Sequence, residues 1–391
     1  MDGTRNADTR WRPGVTLLVF ALFGFFGLFW GVFAVLLTDL SGALDLSPGP
    51  LGVALFAGAA ASIVAMALLG WMADRVGRRV FILISASVLG LGIAGLASAE
   101  GYVTLLLALV VLYASSGLYD VGINAAAVDL ERAAGRRLMS FFHAAFSAGG
   151  VVGALSAGAL LQAGVGYRSV YLAVLAPLAA LLVAVAVSRF PVLEHPPGGA
   201  EAARDLYRSA PLLLVATIAT LGLLSEGEME HWSGVYLRGS LDLPALLGAS
   251  GVAVFFGAMA LGRLGAAFAV SRLGDRRTLA GAGLATAGGM TLSLATREPV
   301  LVVAGFLIVG LALSAVVPIA FSVAGDLAPG RAGTAISIIT TVSYGGFLLG
   351  PVIVGGLAEL VGLRLALGTI SLAGVLIFIL SLRAQGREKK V

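Results

Sequence analysis

The sequence predicts an all-α membrane protein with twelve transmembrane helices in two pseudo-symmetric six-helix bundles. Three observations lead there. Of 391 residues, 59% are hydrophobic and only 12% are charged. A soluble chain of this length would carry about 25% charged residues, so the charge here cannot cover a water-facing surface. The apolar residues gather into twelve runs, each fit to cross ~30 Å of hydrocarbon. The two halves of the chain also echo each other.

The first run, 15–38, follows Arg5, Arg10 and Arg12 and is too long to be the core of a cleavable signal. The others lie near 49–73, 80–98, 102–128, 138–163, 168–188, 211–235, 246–271, 278–296, 299–325, 332–358 and 363–383. The termini and even-numbered connections hold 20 Lys and Arg residues against four in the odd-numbered ones, with Arg263 left inside span 8. The positive-inside rule therefore puts both termini in the cytoplasm, and a bacterial inner (plasma) membrane is the expected location. The net charge of +4 is scattered between apolar runs, which is a topological pattern and no footprint for nucleic acid.

The repeat has a measurable register. "AVDLERAAGRRLMS" (127–140) matches "AGDLAPGRAGTAIS" (324–337) at an offset of 197, pairing Asp129 with Asp326. Gly149-Gly150 matches Gly345-Gly346, and "GYR" at 166–168 matches "GLR" at 362–364, both at 196. Between them, "HPPGGAEAARD" breaks the chain with Pro and Gly. The expected organisation is an N-terminal bundle (1–188), a cytoplasmic linker (189–210) and a C-terminal bundle (211–391).

The chemistry excluded is equally plain. Cysteine is absent, so there are no disulfides, thiolate metal sites or cysteine nucleophiles. No H-E-x-x-H, G-x-S-x-G or G-x-x-x-x-G-K-[ST] occurs, and His143, His195 and His231 lie on separate segments. An enzyme, an ATP-driven pump and a metal site are not expected, nor is any cofactor. The 54 glycines suit helices packed closely in lipid.

Between spans 2 and 3 stands "GWMADRVGRR" (70–79). A tight turn between helix ends needs Gly77. A carboxylate at Asp74 can dock on a helix N-terminus, while Arg78 and Arg79 can hold the inner interface or pair with acids at other helix ends. The stretch resembles the G-x-L-A-D-R-x-G-R-R loop of the major facilitator superfamily (MFS), with Gly70, Asp74, Arg75, Gly77, Arg78 and Arg79 matching. Span number, repeat and central loop agree with that family along the whole chain. The resemblance implies the MFS fold and a conformational gate in which these residues form a charge network with an acid at the end of span 4, here Asp129. In the second copy, "AFAVSRLGDRRT" (267–278), Ser271 stands in place of Asp74 and Asp275 in place of Arg78. Span 11 reads "GGFLLGPVIVGG" (345–356), similar to a drug/proton antiporter pattern that belongs in span 5; span 5 here lacks the proline.

Ionisable groups inside a membrane cost at least ~2.5–3.5 kcal/mol each and usually face a cavity or a partner. Span 7 ends in "EGEMEHWSGVYLR" (226–238). At 1.5 Å per residue Glu226 lies about 22 Å along it, within the core, and Glu230 about 28 Å along, at the outer boundary. These two share a face at i, i+4. Glu228 and His231 are expected to be solvated interfacial groups, with Trp232 and Tyr236 in the aromatic belt. A carboxyl group held in low dielectric can take up and release a proton near neutrality. In span 4, Asp120 and Asn124 lie ~14 and ~8 Å deeper than Asp129 on one face. His143 of span 5 lies near the depth of Asn124, where it either joins this polar group or fastens spans 4 and 5. Arg263, ~14 Å deep in span 8, can serve as charge partner to Asp120 or Glu226, clamp an anionic solute, or snorkel to the cytoplasm.

Trp30 stands among Phe23, Phe25, Phe26, Phe29 and Phe33 of span 1. In the MFS, spans 1, 4, 7 and 10 line the central cavity, so the resemblance implies a ring at Trp30 able to stack on a solute. Asp120/Asn124 with "SFFHAAFSAGG" (140–150) and the span 7 stretch is similar to the bacterial branch related to fucose–proton symporters, without matching its acids position for position. The expected function is therefore proton-coupled secondary transport of a sugar or sugar-like solute by alternating access. Asp120, Glu226 and Glu230 would carry protons, and Trp30, Asn124, His143 and Arg263 would bind substrate. Drug or metabolite efflux by antiport is the alternative. Expected partners are a small-molecule substrate, protons and membrane lipid, with no nucleic acid, and the chain is expected to act as a monomer.

Overall fold

The computed structural model describes residues 13–70, 72–135, 138–190, 206–328 and 332–383. Among the described residues, helices are the only regular elements. Twelve are long and apolar enough to cross a membrane: spans 1 to 6 are Pro13–Ala43, Pro48–Leu69, Arg78–Ser98, Tyr102–Glu131, Phe141–Gln162 and Tyr167–Val187. Spans 7 to 12 are Ala210–Ser240, Ala245–Leu273, Asp275–Ala295, Pro299–Leu327, Ile338–Val361 and Leu363–Ser381. Spans 1 and 7 run about a turn beyond their apolar stretches, because Thr38, Asp39 and the polar run from Glu226 to Arg238 continue the helix. Span 10 is two pieces, Pro299–Leu313 and Val316–Leu327. Pro318 falls in the first turn of the second piece, where its missing N–H leaves no bond unmade.

The described residues form two compact units. One holds 13–33 and 54–190; the other holds 34–53 and 206–383. Span 1 is thus divided at Phe33, its C-terminal end belonging to the second unit.

Within the first unit, spans 1 and 5 meet backbone to backbone. Gly27 and Gly31 face the carbonyls of Phe146 and Gly150, and Gly149 and Gly153 face those of Gly24 and Leu28, with no room for a Cβ. Within the second unit, Gly227 and Gly346 let spans 7 and 11 approach in the same way. Small residues are what allow such contacts in lipid. Gly149→Ala should therefore cost about 1–3 kcal/mol through overpacking and lower the thermal midpoint in detergent. Gly288→Ala, where a Cβ meets nothing within 4 Å, should leave it unchanged or raise it.

The short connections between spans 2 and 3 and between spans 8 and 9 each turn on one glycine in the left-handed region, Gly77 (φ 82°) and Gly274 (φ 78°). They lie 197 residues apart, the offset of the sequence repeat.

Candidate functional site

Among the described residues, span 7 carries more buried ionisable side chains than any other span, Glu228, Glu230 and His231. Its helix runs to Val235 and closes in a π-helical turn, Tyr236–Ser240. The cluster that hydropathy assigned to the water boundary is therefore inside the bundle. Glu228 (0% exposed), His231 (3%), Trp232 (0%) and Tyr236 (0%) are all buried, and so is Glu230 (7%). This corrects the expectation of solvated Glu228 and His231 and of an interfacial Trp232 and Tyr236. Neighbouring helices cover this face, and sequence depth alone gives no direction around the helix. His231 Nδ1 is 2.7 Å from the Gly227 carbonyl oxygen one turn back, and its ring lies edge-on to Phe347.

Glu226, expected to be the most buried acid of the cluster, is the more accessible one. Its side chain is 14% exposed and its Oε1 accepts a bond from Arg263 Nη2 at 3.4 Å; the guanidinium is 31% exposed. Arg263 also acts electrostatically on Glu230, one turn further along the face. The structure thus joins three candidates, Glu226, Glu230 and Arg263, into one charged group on spans 7 and 8. Glu228, on another face, sits against Thr369 of span 12, with Oε2 2.9 Å from the threonine hydroxyl.

In the first unit, the Asn124 side-chain amide donates to Asp120 Oδ1 at 2.8 Å and to the Asp120 carbonyl at 2.9 Å. Asp120 and Asn124 are both partly exposed. His143 packs its ring edge-on to Phe23 with centroids 5.4 Å apart. Trp30, half-buried, is ringed by Phe26, Phe29, Phe33 and Tyr113 at centroid distances of 5.1–6.1 Å. Tyr119 closes the same layer by donating its hydroxyl to the Leu22 carbonyl at 3.1 Å.

Where span 3 begins, Arg78 Nε donates to Asp129 Oδ2 at 2.8 Å, with side chains 8% and 2% exposed. Arg75 and Arg79 are exposed, and Gly70 is half-buried. The side chain of Asp74 lies outside the described residues. Glu131, which the sequence did not single out, accepts the backbone N–H groups of Leu138 and Met139 at 2.7 and 2.9 Å. It caps the start of span 5, where a negative charge is favoured.

A second polar group went unrecognised in the sequence. In the second unit, Arg238 in the π-helical turn holds Asp39 with both terminal nitrogens; Nη2 reaches Oδ1 at 3.0 Å and Nη1 bonds Oδ2. In the same unit, the Gly49 N–H donates to Glu359 Oε1 at 2.7 Å. One signal was available: Arg238 is among four arginines in the odd-numbered connections, and it directly follows the polar end of span 7. Among the described residues, no three His, Asp or Glu side chains group as a metal ion requires.

Comparison with known proteins now decides the family. The Major Facilitator Superfamily model matches residues 18–268 and 249–391. The chain belongs to the major facilitator superfamily. An uncharacterised MFS-type transporter of Yersinia pestis is 32% identical over 363 residues, 92% of this chain and 94% of the relative. The nucleoside transporter NupG has the same fold at a TM-score of 0.79 and 14% identity, covering 95% of this chain and 98% of that one. A D-xylose–proton symporter superposes at 0.76 and 14% identity, covering 95% and 97%.

The protein is thus an integral membrane MFS transporter and not an enzyme. In this MFS chain the residue pairing of Arg78 with Asp129 is not repeated at the equivalent positions of the second half. Asp275 stands where Arg78 stands and Asp326 where Asp129 stands, so both counterpart positions are acids and cannot attract one another. Asp129 is buried and Asp326 is exposed.

Proposed function

We propose that this MFS transporter moves a small polar solute, a sugar or sugar-like compound, together with protons by alternating access. The observation that carries this reading is the Glu226–Arg263 pair. It places a carboxyl group and a guanidinium in contact within two membrane spans, both partly exposed. A proton on Glu226 cancels its attraction for Arg263 and frees the guanidinium for a solute hydroxyl or carboxylate. Loss of the proton restores the pair. Proton and solute are then linked through one interaction free energy. Glu230 extends the same face, and Asp120 with Asn124 supplies a second carboxyl group for protonation. Trp30, His143 and Arg263 are assigned to the solute. The superposable nucleoside transporter and D-xylose–proton symporter support a polar, hydroxyl-rich substrate. Arg263 beside Glu226 disfavours a cationic drug. The arginine distribution supports cytoplasmic termini in an inner membrane, and the loop 70–79 with Asp129 is assigned to the inner gate.

The test uses proteoliposomes with radiolabelled D-xylose and uridine as probes. The wild type should concentrate a probe when the outside is made more acidic. Glu226→Gln should lose that accumulation and keep equal-pH counterflow exchange. Undiminished accumulation by Glu226→Gln rejects its role.

A further inference from the structure

The reading above leaves the most deeply buried acid of span 7 without a task. Glu228 has no exposed surface. Span 11 packs on its stem at Gly350, where even a Cβ would come within 3.0 Å of the Glu228 Cγ, and span 12 meets its carboxyl group with Thr369. Among the described residues no charged group faces it. On its own helix, Glu226 and Glu230 lie with Arg263 of span 8 and His231 bonds back to Gly227. Asp326 of span 10 is exposed, and Glu359 of span 11 is engaged with Gly49. An ionised carboxylate at this position would be a buried charge with no counter-charge, which folded proteins pay for heavily.

The hydrogen-bond geometry accommodates a proton. Thr369 Oγ1 lies 2.9 Å from Glu228 Oε2 and 2.8 Å from the Ala366 carbonyl oxygen. A hydroxyl has one hydrogen and can also accept. If that hydrogen points to Ala366, which can only accept, the contact with Glu228 is a hydrogen bond only when Glu228 carries the proton. If it points to Glu228, the carboxylate is satisfied without one. A single rotation of the hydroxyl therefore serves both states of the acid.

The other carboxyl oxygen, Oε1, is buried without a partner among the described residues. Trp232 Nε1 and the Tyr236 hydroxyl are in the same condition, and residues 228, 232 and 236 fall on one helix face at i, i+4, i+8. Buried polar atoms in such a row are the kind that internal water bridges. The row climbs about 12 Å to Tyr236, on which Arg364 at the start of span 12 and Arg297 between spans 9 and 10 act.

We propose that Glu228 is a proton-binding site separate from the Glu226–Arg263 pair, exchanging its proton with the outer side along the 228–232–236 face. The use of that proton in transport rests on the proton-coupled reading; its binding does not.

Infrared difference spectroscopy tests this on the full chain in liposomes, with pH stepped and no solute present. The wild type should show a protonated-carboxyl C=O band that comes and goes reversibly with pH. The band should be lost in Glu228→Gln and kept in Glu226→Gln. Thr369→Val, with Glu228 intact, should shift its frequency, and Trp232→Phe and Tyr236→Phe should slow its hydrogen–deuterium exchange. Identical bands in the wild type and Glu228→Gln, or a Glu228 band that ignores pH, overturns the proposal; exchange unchanged in both aromatic variants overturns the path. Because no solute is present, the outcome is independent of whether Glu226→Gln still accumulates D-xylose or uridine.

Discussion

Arg78→Ala should be the most destabilising single substitution near the inner loop, costing about 3–5 kcal/mol. Arg78 and Asp129 are both removed from water, and their stability depends on each other. Deleting the guanidinium leaves a carboxylate buried without the charge it was folded against. The expected observation is a sharply lower thermal midpoint in detergent. Asp129→Ala should act in the same direction, leaving the cation behind. Replacing both members with leucine should recover most of the loss, since a buried ion pair is often matched or bettered by apolar side chains of similar volume. If the pair also gates the inner side, the double-leucine protein should fold and yet transport poorly. That split separates the structural contribution from the conformational one.

Breaking the Asp39–Arg238 pair should have the largest effect at the outer end. Its two charge-assisted bonds join residues 199 apart in sequence, and the side chains are only 22% and 18% exposed. Such bonds are worth about 1.5–3 kcal/mol each when formed to charged groups. Arg238→Ala should therefore loosen the ends of spans 1 and 7. The chain contains no cysteine, so a single introduced thiol reports without background. Ser41→Cys, at a site 8% exposed, should react with a membrane-impermeant maleimide roughly 10- to 100-fold faster when Arg238→Ala is added, at tenfold per 1.4 kcal/mol. The charge exchange Asp39→Arg with Arg238→Asp should restore slow labelling. Equal labelling with and without Arg238 would show that the pair holds nothing shut.

Much of the architecture was legible before any coordinates. Hydropathy located all twelve spans because the hydrocarbon core admits only long apolar helices. The 197-residue offset appears again in the backbone as two left-handed glycines, Gly77 and Gly274. The loop motif pointed to Arg78 and Asp129, and the structure brings them together. What stayed illegible was direction around the helix axis. The ionisable residues of span 7 fall on several sides of an otherwise apolar helix, so the sequence gives depth but not which neighbour a side chain meets. Glu226 and Glu228 are two residues apart; one reaches Arg263 and is partly exposed, the other reaches Thr369 and is fully buried. Asp39 and Arg238 escaped notice for a related reason. Each stands at a helix end, where charge is ordinary, and only the fold makes them a pair.

Glu226 as the proton carrier is tested most directly by following protons and solute together. Proteoliposomes loaded with a pH-sensitive dye would receive D-xylose or uridine from outside at equal pH on both sides. Coupled entry predicts that the lumen acidifies as the radiolabelled probe enters, and that Glu226→Gln abolishes the acidification. Entry of the probe with no change in lumenal pH would contradict it.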